Sequence, residues 1–359
     1  MSRDEEIPDA DRAGNAPLPR ETSALFGHGA AELALLDGYR AGRLAHAWIL
    51  GGPEGIGKAT LAWRFARFLL AHPDPNSAQV RAATSLATDP EHKVARRMAA
   101  GGHGNVFRLR REWDRERKKL RTEISIDSVR ECISMFHQSA AVDGWRVCIV
   151  DSAEELNKNS ANALLKLIEE PPARSLFLII SQKPGQLLPT IRSRCRKLMM
   201  PGLAEVDIIR AIESLPASMG RKSQADLTVA AARAEGSVRE ALRLLDQETL
   251  VFDRRLGAAL ARLPGVEWRD IHSLADNVTG KDGERAYDML MRGVFGYLAQ
   301  AVRAGAQAGQ STPRLARLAE GWEKLRDLVR EAEALNLDKR ALVLTLFMEL
   351  AEATGAAAP

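Results

Sequence analysis

The stretch that most constrains the fold is GGPEGIGKATL, residues 51–61. It follows a short apolar run, HAWIL, and it precedes TLAWRFARFLLA, whose apolar residues recur at helical spacing. Gly52, Gly57 and Lys58 fit the GxxxxGK pattern, in which backbone N–H groups at a helix N-terminus surround phosphate oxygens and the lysine adds a positive charge. A glycine-rich turn is the alternative, but the strand, the helix and the lysine together favour a phosphate-binding loop.

The residue after the lysine departs from this pattern. Phosphate-binding loops normally carry Ser or Thr at that position, because the hydroxyl ligates Mg²⁺, whereas this chain has Ala59. Thr60 comes one residue later, and about 100° of helical rotation separates its side chain from the position of the missing ligand. The loop therefore predicts a nucleotide-binding type of fold that lacks its usual magnesium ligand.

Helices alternate with short apolar strands from residue 32 to residue 200. Besides HAWIL, the strand-like runs are WRVCIVD and LFLIIS, and this alternation predicts a mostly parallel sheet with helices on both faces. After residue 201 the strand signals end. Short helices are expected over 203–250, and 251–355 is typical of an all-helical region.

Individual residues refine these elements. Asp127 and Asp338 are candidate N-caps of two helices. Leu342, Leu346 and Leu350 recur at helical spacing near the end of the chain, and part of their face is expected to be available to partner subunits.

The ends and the composition of the chain bound its class. Residues 1–22 are polar and interrupted by prolines, which is typical of a flexible tail and not of a secretion signal. No apolar run approaches the roughly 20 residues that cross a bilayer, so a cytoplasmic protein without a membrane partner is expected. The three cysteines, Cys132, Cys148 and Cys195, form no CxxC pair and are expected to be reduced. The net charge of +4 does not by itself indicate nucleic-acid binding.

A basic segment, RLRREWDRERKKLR, occupies residues 108–121. Acidic residues, Glu112, Asp114 and Glu116, interrupt the basic run. This mixture favours a solvated helix face or a hairpin with ion pairs over a nucleic-acid patch. The alternative, a free-standing nucleic-acid-binding module, predicts salt-sensitive affinity for DNA without partners.

An acidic residue, Asp151, follows the apolar strand RVCIV. In a phosphate-loop fold a metal-coordinating carboxylate occurs at such a strand end, although a turn residue is an equal alternative. The next residue is Ser152, where hydrolytic sites usually carry a glutamate that orients the attacking water, and a serine cannot accept a proton in that role. Glu154 and Glu155 lie nearby, but we expect the following helix to point them elsewhere.

An arginine, Arg194, lies in the segment IRSRC just beyond a strand and a short turn. An exposed arginine at such a corner can reach across a subunit boundary and stabilise charge on the γ-phosphate of a neighbour. A local ion pair at the surface is the alternative. Cys195 is typical of a small buried residue, because no histidine and acid accompany it as in a cysteine hydrolase.

Four segments follow one another in an order that resembles bacterial clamp-loader subunits of the AAA+ superfamily. They are AGRLAHAWILGGPEGIGKATLA, WRVCIVDSAEELNKNSANALLKLIEEPP, FLIISQKPGQLLPTIRSRC and GSVREALRLLD. The combination of LLKLIEEPP with SRC is the most specific part, and the ending LNLDKRALVLTLF resembles the collar of this family. The resemblance implies an AAA+ (RecA-like) α/β domain with a parallel sheet at 23–202, a small helical lid at 203–250 and an all-α oligomerisation collar at 251–359.

The resemblance also implies roles for individual residues. Asp151 matches the Walker B acid, Ser181 the approximate sensor position at a strand end, and Arg194 the arginine finger that acts in trans on a neighbouring subunit. Arg239, in GSVRE, matches the second sensor arginine in the lid. The implied, degenerate nucleotide site consists of Gly52, Gly55, Gly57, Lys58, Thr60, Asp151 and Arg239.

Two departures from the family fall on the chemistry of hydrolysis. The ATP-hydrolysing relatives carry Thr or Ser after the lysine and Asp-Glu at the end of the Walker B strand, whereas this chain has Ala59 and Ser152. The resemblance therefore implies a largely non-hydrolysing subunit that offers Arg194 to a neighbour and requires no cofactor, while weak binding of ATP or ADP stays open. Clamp-loader ATPases often carry a four-cysteine zinc module, but residues 71–105 contain no cysteine, so no zinc is expected.

The implied partners are clamp-loader ATPase subunits of the gamma/tau type and a delta subunit. Through the complex the chain would also meet the sliding clamp and primed DNA during replication, as part of a DNA polymerase assembly. The enzyme alternative is an active ATPase of the same family, in which Thr60 or a chain of waters supports Mg²⁺ and Glu154 acts as the base.

Overall fold

The computed structural model divides the chain into two compact units, residues 1–245 and 246–359. None of the described helices is long and apolar enough to cross a membrane. The predicted tail lies outside the described residues as far as residue 15. The structure describes residues 16–114, 119–137, 144–216, 222–280, 283–309, 311–335 and 337–355.

A parallel sheet of five strands forms the centre of the first unit, and its spatial order is β2-β5-β6-β1-β7. A separate antiparallel hairpin consists of β3 and β4. The three central strands of the sheet are almost wholly buried, as expected for a parallel sheet that helices cover on both faces. In chain order the strands are β1 (Ala47–Gly51), β2 (Val106–Leu109), β3 (Trp113–Asp114), β4 (Lys119–Leu120), β5 (Arg146–Val150), β6 (Ser175–Ser181) and β7 (Arg196–Met199).

Helices cover both faces of the sheet. Successive strand residues point to opposite faces, so Trp48 and Leu50 pack with one group of helices while Ala47 and Ile49 pack with the other. The predicted α/β class with a parallel sheet is confirmed. The helices of this domain are α1 (Gly29–Arg40), α2 (Lys58–Ala71), α3 (Ala78–Ala82), α4 (Lys93–Ala99), α5 (Ile126–His137), α6 (Lys158–Glu169) and α7 (Pro189–Arg194).

The three strands predicted from apolar runs are β1, β5 and β6, whereas β2 and β7 were not predicted. β7 reads RKLM, and three of its four side chains are exposed. It lies at the edge of the sheet, where pairing with β1 orders it and no apolar run is needed. A polar edge strand of this kind carries no strand signal in the sequence.

The predicted tail, 1–22, is structured where the chain is described. Leu18 is buried, and a guanidinium nitrogen of the buried Arg67 on α2 donates a hydrogen bond of 2.8 Å to the carbonyl oxygen of Arg20. A buried guanidinium requires acceptors, and the backbone of residues 20 and 22 supplies them. These hydrogen bonds hold the segment against α2. The composition of the segment does not predict this contact.

A three-helix lid completes the first unit. Its helices are α8 (Glu205–Glu213), α9 (Gln224–Arg233) and α10 (Val238–Leu244), and they share a small apolar core. The second unit is all helical, and it begins just before the predicted collar boundary at residue 251. Its helices are α11 (Gln247–Ala261), α12 (Trp268–Thr279), α13 (Gly283–Gln307), α14 (Thr312–Ala334) and α15 (Lys339–Thr354).

The leucines of α15 correct one expectation. Leu342, Leu346 and Leu350 are buried in the core of their own unit, so this face is not available to partner subunits. Asp338 caps α15 as predicted, because its carboxylate accepts a hydrogen bond from the backbone N–H of Arg340. The predicted cap at Asp127 is wrong: Ser125 accepts from the N–H of Ser128, which places Asp127 inside the first turn of α5.

The structure also shows where the basic segment 108–121 lies. The described part of residues 108–121 contains the hairpin β3–β4, and Arg111 pairs with Glu155 at 2.9 Å.

All three cysteines are free and buried. Cys132 and Cys148, distant in sequence, have their sulfur atoms 3.5 Å apart.

The core of the second unit can be tested with two substitutions on α15. Leu346 is wholly buried, whereas Met348 is 48% exposed. Leu346→Ala is expected to lower the free energy of unfolding of this unit by about 2–5 kcal/mol, because a cavity remains, and Met348→Ala by less than about 0.5 kcal/mol. Amide hydrogen exchange of α12 and α15 in the full chain measures both effects. Equal exchange in the two variants would contradict this core.

Candidate functional site

The phosphate-type loop between β1 and α2 depends on its glycines. Gly52, Gly55 and Gly57 all have positive φ angles, of 146°, 73° and 102°. A Cβ atom at Gly52 would lie 2.2 Å from the carbonyl oxygen of Met200, and one at Gly55 would lie 2.3 Å from the hydroxyl of Ser237 in the lid. Only glycine satisfies both the backbone conformation and the close approach.

Groups outside the loop bind its carbonyl oxygens. The oxygen of Gly55 accepts from the N–H of Val238, at the start of α10, at 3.0 Å. The oxygen of Ile56 lies 2.8 Å from Nε2 of the buried His28, which therefore carries the ring proton. Because the N–H and C=O of a peptide unit point in opposite directions, the N–H groups of Ile56 and Gly57 point away from these partners, and both residues line the cavity. The loop thus keeps the form of an anion cradle.

Lys58 lies at the bottom of this cradle and is only 5% exposed. Its ammonium donates to the carbonyl oxygens of Gly52, at 2.8 Å, and of Pro53. Burial lowers the pKa of Lys58, and the carboxylates of Glu154, Glu54 and Asp151 oppose that shift. An ammonium with three donors, held among acceptors and nearby carboxylates, is suited to add a phosphate oxygen to its partners.

The lid docks directly on the loop. A second contact accompanies the backbone hydrogen bond between α10 and Gly55. Arg239 forms an ion pair with Glu54, and the guanidinium lies 3.1 Å from the carboxylate. Both side chains of this pair are about half exposed, so the pair contributes little stability by itself. It nevertheless places the predicted second sensor arginine at the mouth of the cradle.

A cavity of about 320 Å³ opens between the loop, the lid and the N-terminal segment 16–26. This volume lies at the lower end of the range of small-molecule sites. Most of the predicted site residues line it, and Gly52 lies behind it, where its carbonyl holds Lys58. The predicted residues on the wall are Gly55, Gly57, Lys58, Thr60, Asp151 and Arg239.

The strand end at Asp151 differs from a hydrolytic site. Asp151 reaches the cavity wall beside Ser152, whose φ of 58° is in the left-handed region. Serine seldom adopts this conformation, and it costs about 1–3 kcal/mol. Glu154 accepts hydrogen bonds from the hydroxyl of the buried Ser181 and, at 2.7 Å, from the N–H of Lys183. The expectation that both glutamates point elsewhere is wrong for Glu155, which lines the cavity. Glu154 ties the end of β6 to the segment after β5.

Arg194 does not line this cavity. It ends α7 with its side chain 41% exposed, and one nitrogen lies 2.7 Å from the carboxylate of Glu169 at the end of α6. A second nitrogen donates to the carbonyl oxygen of Thr190, at 3.1 Å, and to the hydroxyl of Ser193, at 3.2 Å. The predicted trans-acting arginine thus lies at the surface, separate from the chain's own cradle.

The sequence did not indicate several parts of the site. His28 holds the loop from outside, Glu54 within the loop pairs with Arg239, and the segment 16–26 forms part of the wall. A single histidine and a polar, proline-rich segment carry no local signal for such roles. Within the described ranges, no group of three or more His, Cys, Asp or Glu side chains could hold a metal ion, and the expectation about zinc stays a prediction.

The fold and the site together define a class of protein. A parallel sheet carries a glycine loop and a lysine after β1, an acidic residue after β5 and a polar residue at the end of β6, and a three-helix lid docks on the loop. This arrangement is that of an α/β protein with a phosphate-type loop and a helical lid, and it resembles the predicted AAA+ type.

Comparisons with known proteins narrow this class. Residues 29–204 match the family described as DNA polymerase III, delta subunit. Over 162 residues the chain is 39% identical to subunit delta' of DNA polymerase III from Pseudomonas aeruginosa, a match that covers 45% of each chain. Over 162 residues it is 33% identical to subunit delta' from Escherichia coli, covering 45% of this chain and 44% of that one. These matches confirm the resemblance to clamp-loader subunits, and specifically to delta-prime.

Relatives named as gamma subunits also match, at lower identity. The chain is 26% identical over 229 residues to subunit gamma of DNA polymerase III from Buchnera aphidicola, covering 64% of this chain and 58% of that protein. The matches to the delta-prime relatives span a little under half the length of those proteins. Residues 29–204, which match the family, contain the five-stranded sheet, the loop, Asp151 and Arg194.

The docking of the lid on the loop can be tested at Gly55. Gly55→Ala is expected to destabilise the first unit by about 1–3 kcal/mol and to expose the amides of α10, because the new Cβ atom meets Ser237 and the φ of 73° is strained. Gly102→Ala is the matched control, since nothing lies within 4 Å of a Cβ atom there. Hydrogen exchange across α10 is the measurement, and unchanged protection in Gly55→Ala would contradict the docked arrangement.

Proposed function

We propose that this chain is a non-hydrolysing delta-prime subunit of a DNA polymerase III clamp loader. It holds neighbouring ATPase subunits of the gamma/tau type and a delta subunit in one assembly. It supplies Arg194 to ATP on a neighbour, and the assembly places the sliding clamp on primed DNA. The two delta-prime relatives and the gamma relative support this proposal by similarity.

One observation carries the proposal: the chain lacks the groups that hydrolysis requires and retains an exposed arginine elsewhere. Ala59 and Ser152 line the cavity where a magnesium ligand and a water-orienting acid would lie. Arg194 is accessible on α7 and belongs to a different surface. A guanidinium can stabilise charge on the phosphate of a neighbour without any nucleotide in its own loop.

The enzyme alternative needs Glu154 as a general base. A base must face the water that it deprotonates, and its lone pairs must be accessible. One carboxylate oxygen of Glu154 already accepts from Ser181 and from the N–H of Lys183. Because this oxygen is already occupied by two donors, Glu154 acts as a structural tie between the strand ends, and the proposal does not use it as the base.

A free-standing nucleic-acid module finds little support in the described part of the basic segment. Arg111 is paired with Glu155, and Glu112 accepts a hydrogen bond from Ser128. These contacts join the segment to its own domain, as in the hairpin interpretation. Affinity for DNA is therefore proposed for the assembly and not for this segment alone.

The first test concerns hydrolysis by the pure chain. We expect no ATP turnover above the background of Lys58→Ala, because the cradle lacks the magnesium hydroxyl at Ala59 and the acid at Ser152. Steady-state phosphate release measures this. Turnover like that of a clamp-loader ATPase, abolished by Lys58→Ala, would favour the enzyme alternative. The double variant Ala59→Thr with Ser152→Glu tests whether these two positions limit nucleotide binding.

The second test concerns Arg194 in the reconstituted complex. Arg194→Ala is expected to leave the chain folded, since the exposed pair with Glu169 contributes about 1 kcal/mol or less. At the neighbouring ATP site, where such arginines supply about 10³ to 10⁵ in rate, turnover should be lost and clamp loading slowed. Arg194→Lys is not expected to restore it fully, because an ammonium lacks the planar fork.

The control for Arg194 is Lys197→Ala, which removes an exposed positive charge three residues away on β7. The measurement is DNA- and clamp-stimulated ATP turnover by complexes that differ only at these positions. Equal rates for wild type and Arg194→Ala would leave Arg194 an ordinary surface charge.

A further inference from the structure

The conformation of Arg194 is unusual for a residue that must reach another subunit. One guanidinium nitrogen bonds the carbonyl oxygen of Thr190, four residues back on the same helix, so the side chain folds back along α7. The other terminal nitrogen lies 2.7 Å from the carboxylate of Glu169. An arginine in this position must leave both partners before it extends outward.

Glu169 occupies a rigid position. It is the last residue of α6, and the paired prolines 171 and 172 follow shortly after it. The buried Ser160 fixes the first turn of this helix by donating to the carbonyl oxygen of Ile124, and the apolar side of the helix is buried against the sheet. A carboxylate on such a support defines one site for the guanidinium. Arg194 lies at the end of the short helix α7, and its side chain is 41% exposed.

We propose that Glu169 is the positioning residue of Arg194: its carboxylate competes with the triphosphate of a neighbouring subunit for the guanidinium and holds the arginine along α7 until that phosphate displaces it. This inference rests on the proposed function of Arg194. Both anions bind the guanidinium through charge-assisted hydrogen bonds. In the folded-back conformation its two terminal nitrogens are bonded to groups of this chain, so a neighbour's phosphate competes with Glu169 for the extended arginine.

The exposure of the pair limits its strength. Both side chains are about 40% exposed. The interaction between the members of such an exposed ion pair changes an equilibrium constant by at most about fivefold. A contact of this strength delays engagement of the arginine without preventing it. A triphosphate, with several negative charges, can displace a single carboxylate at physiological ATP concentrations.

The test uses the full chain, assembled with its ATPase and delta subunits. Glu169→Gln removes the competing charge, so the ATP concentration for half-maximal turnover is expected to fall about two- to fivefold, while the turnover at saturating ATP stays within about twofold. Glu169→Asp retains a carboxylate and is expected to lie closer to wild type. In an Arg194→Ala background, Glu169→Gln is expected to have no effect, because the competition requires the guanidinium.

The matched control is Glu170→Gln, which removes the adjacent exposed carboxylate. If Arg194→Ala does not alter turnover, the proposed function of Arg194 fails. If Arg194→Ala lowers turnover but Glu169→Gln matches wild type and Glu170→Gln, the competition is refuted and the proposed function stands. A loss of turnover in Glu169→Gln at saturating ATP would also refute it, because the carboxylate would then align the arginine for catalysis. An effect of Glu169→Gln that persists without Arg194 would assign the residue a structural role only.

Discussion

The contact between the lid and the glycine loop is the constraint on which the candidate site depends. The first amide of α10 donates to the carbonyl oxygen of Gly55, and this approach is so close that a single methyl group at Gly55 would collide with Ser237. On the other side His28 holds the carbonyl oxygen of Ile56. Because these oxygens are bound outside the loop, the peptide N–H groups that follow them point away from these partners, which is the backbone form of an anion-binding loop at a helix N-terminus.

This dependence explains how the chain can keep a nucleotide-type cradle with Ala59 and Ser152 in place of the usual hydroxyl and glutamate. The cradle consists of backbone groups and of Lys58, whose ammonium is fixed by loop carbonyl oxygens. The metal and water chemistry depends on single side chains at residues 59 and 152, and a substitution there leaves the backbone network intact. Glu154, which ties Ser181 and the N–H of Lys183, further stabilises the strand ends without needing a ligand.

The proposed trans-acting arginine differs from the cradle in its location and its exposure to solvent. Arg194 lies away from the cavity of its own chain, and its ion pair with Glu169 is half exposed. Such a pair is weak enough to be exchanged for a phosphate and strong enough to bias where the guanidinium rests. The chain therefore combines a cradle around the buried Lys58 with an exposed arginine, for which the proposal requires an exchange of partners.

The sequence determined the features that depend on near neighbours along the chain. Apolar runs predicted the buried strands, the glycines and Lys58 predicted the loop, and Asp338 predicted a helix start. Each of these signals lies within a few residues along the chain. Tertiary structure alone decided the polar edge strand β7, the ordering of residues 16–22 by Arg67 and the closeness of Cys132 to Cys148. It also decided that the leucines of α15 pack in the core of their own unit. Likewise, only the tertiary structure brings His28 to the loop and Glu169 to Arg194. These contacts join residues distant in the chain, and a helical repeat gives the same pattern whether its apolar face meets its own fold or a partner.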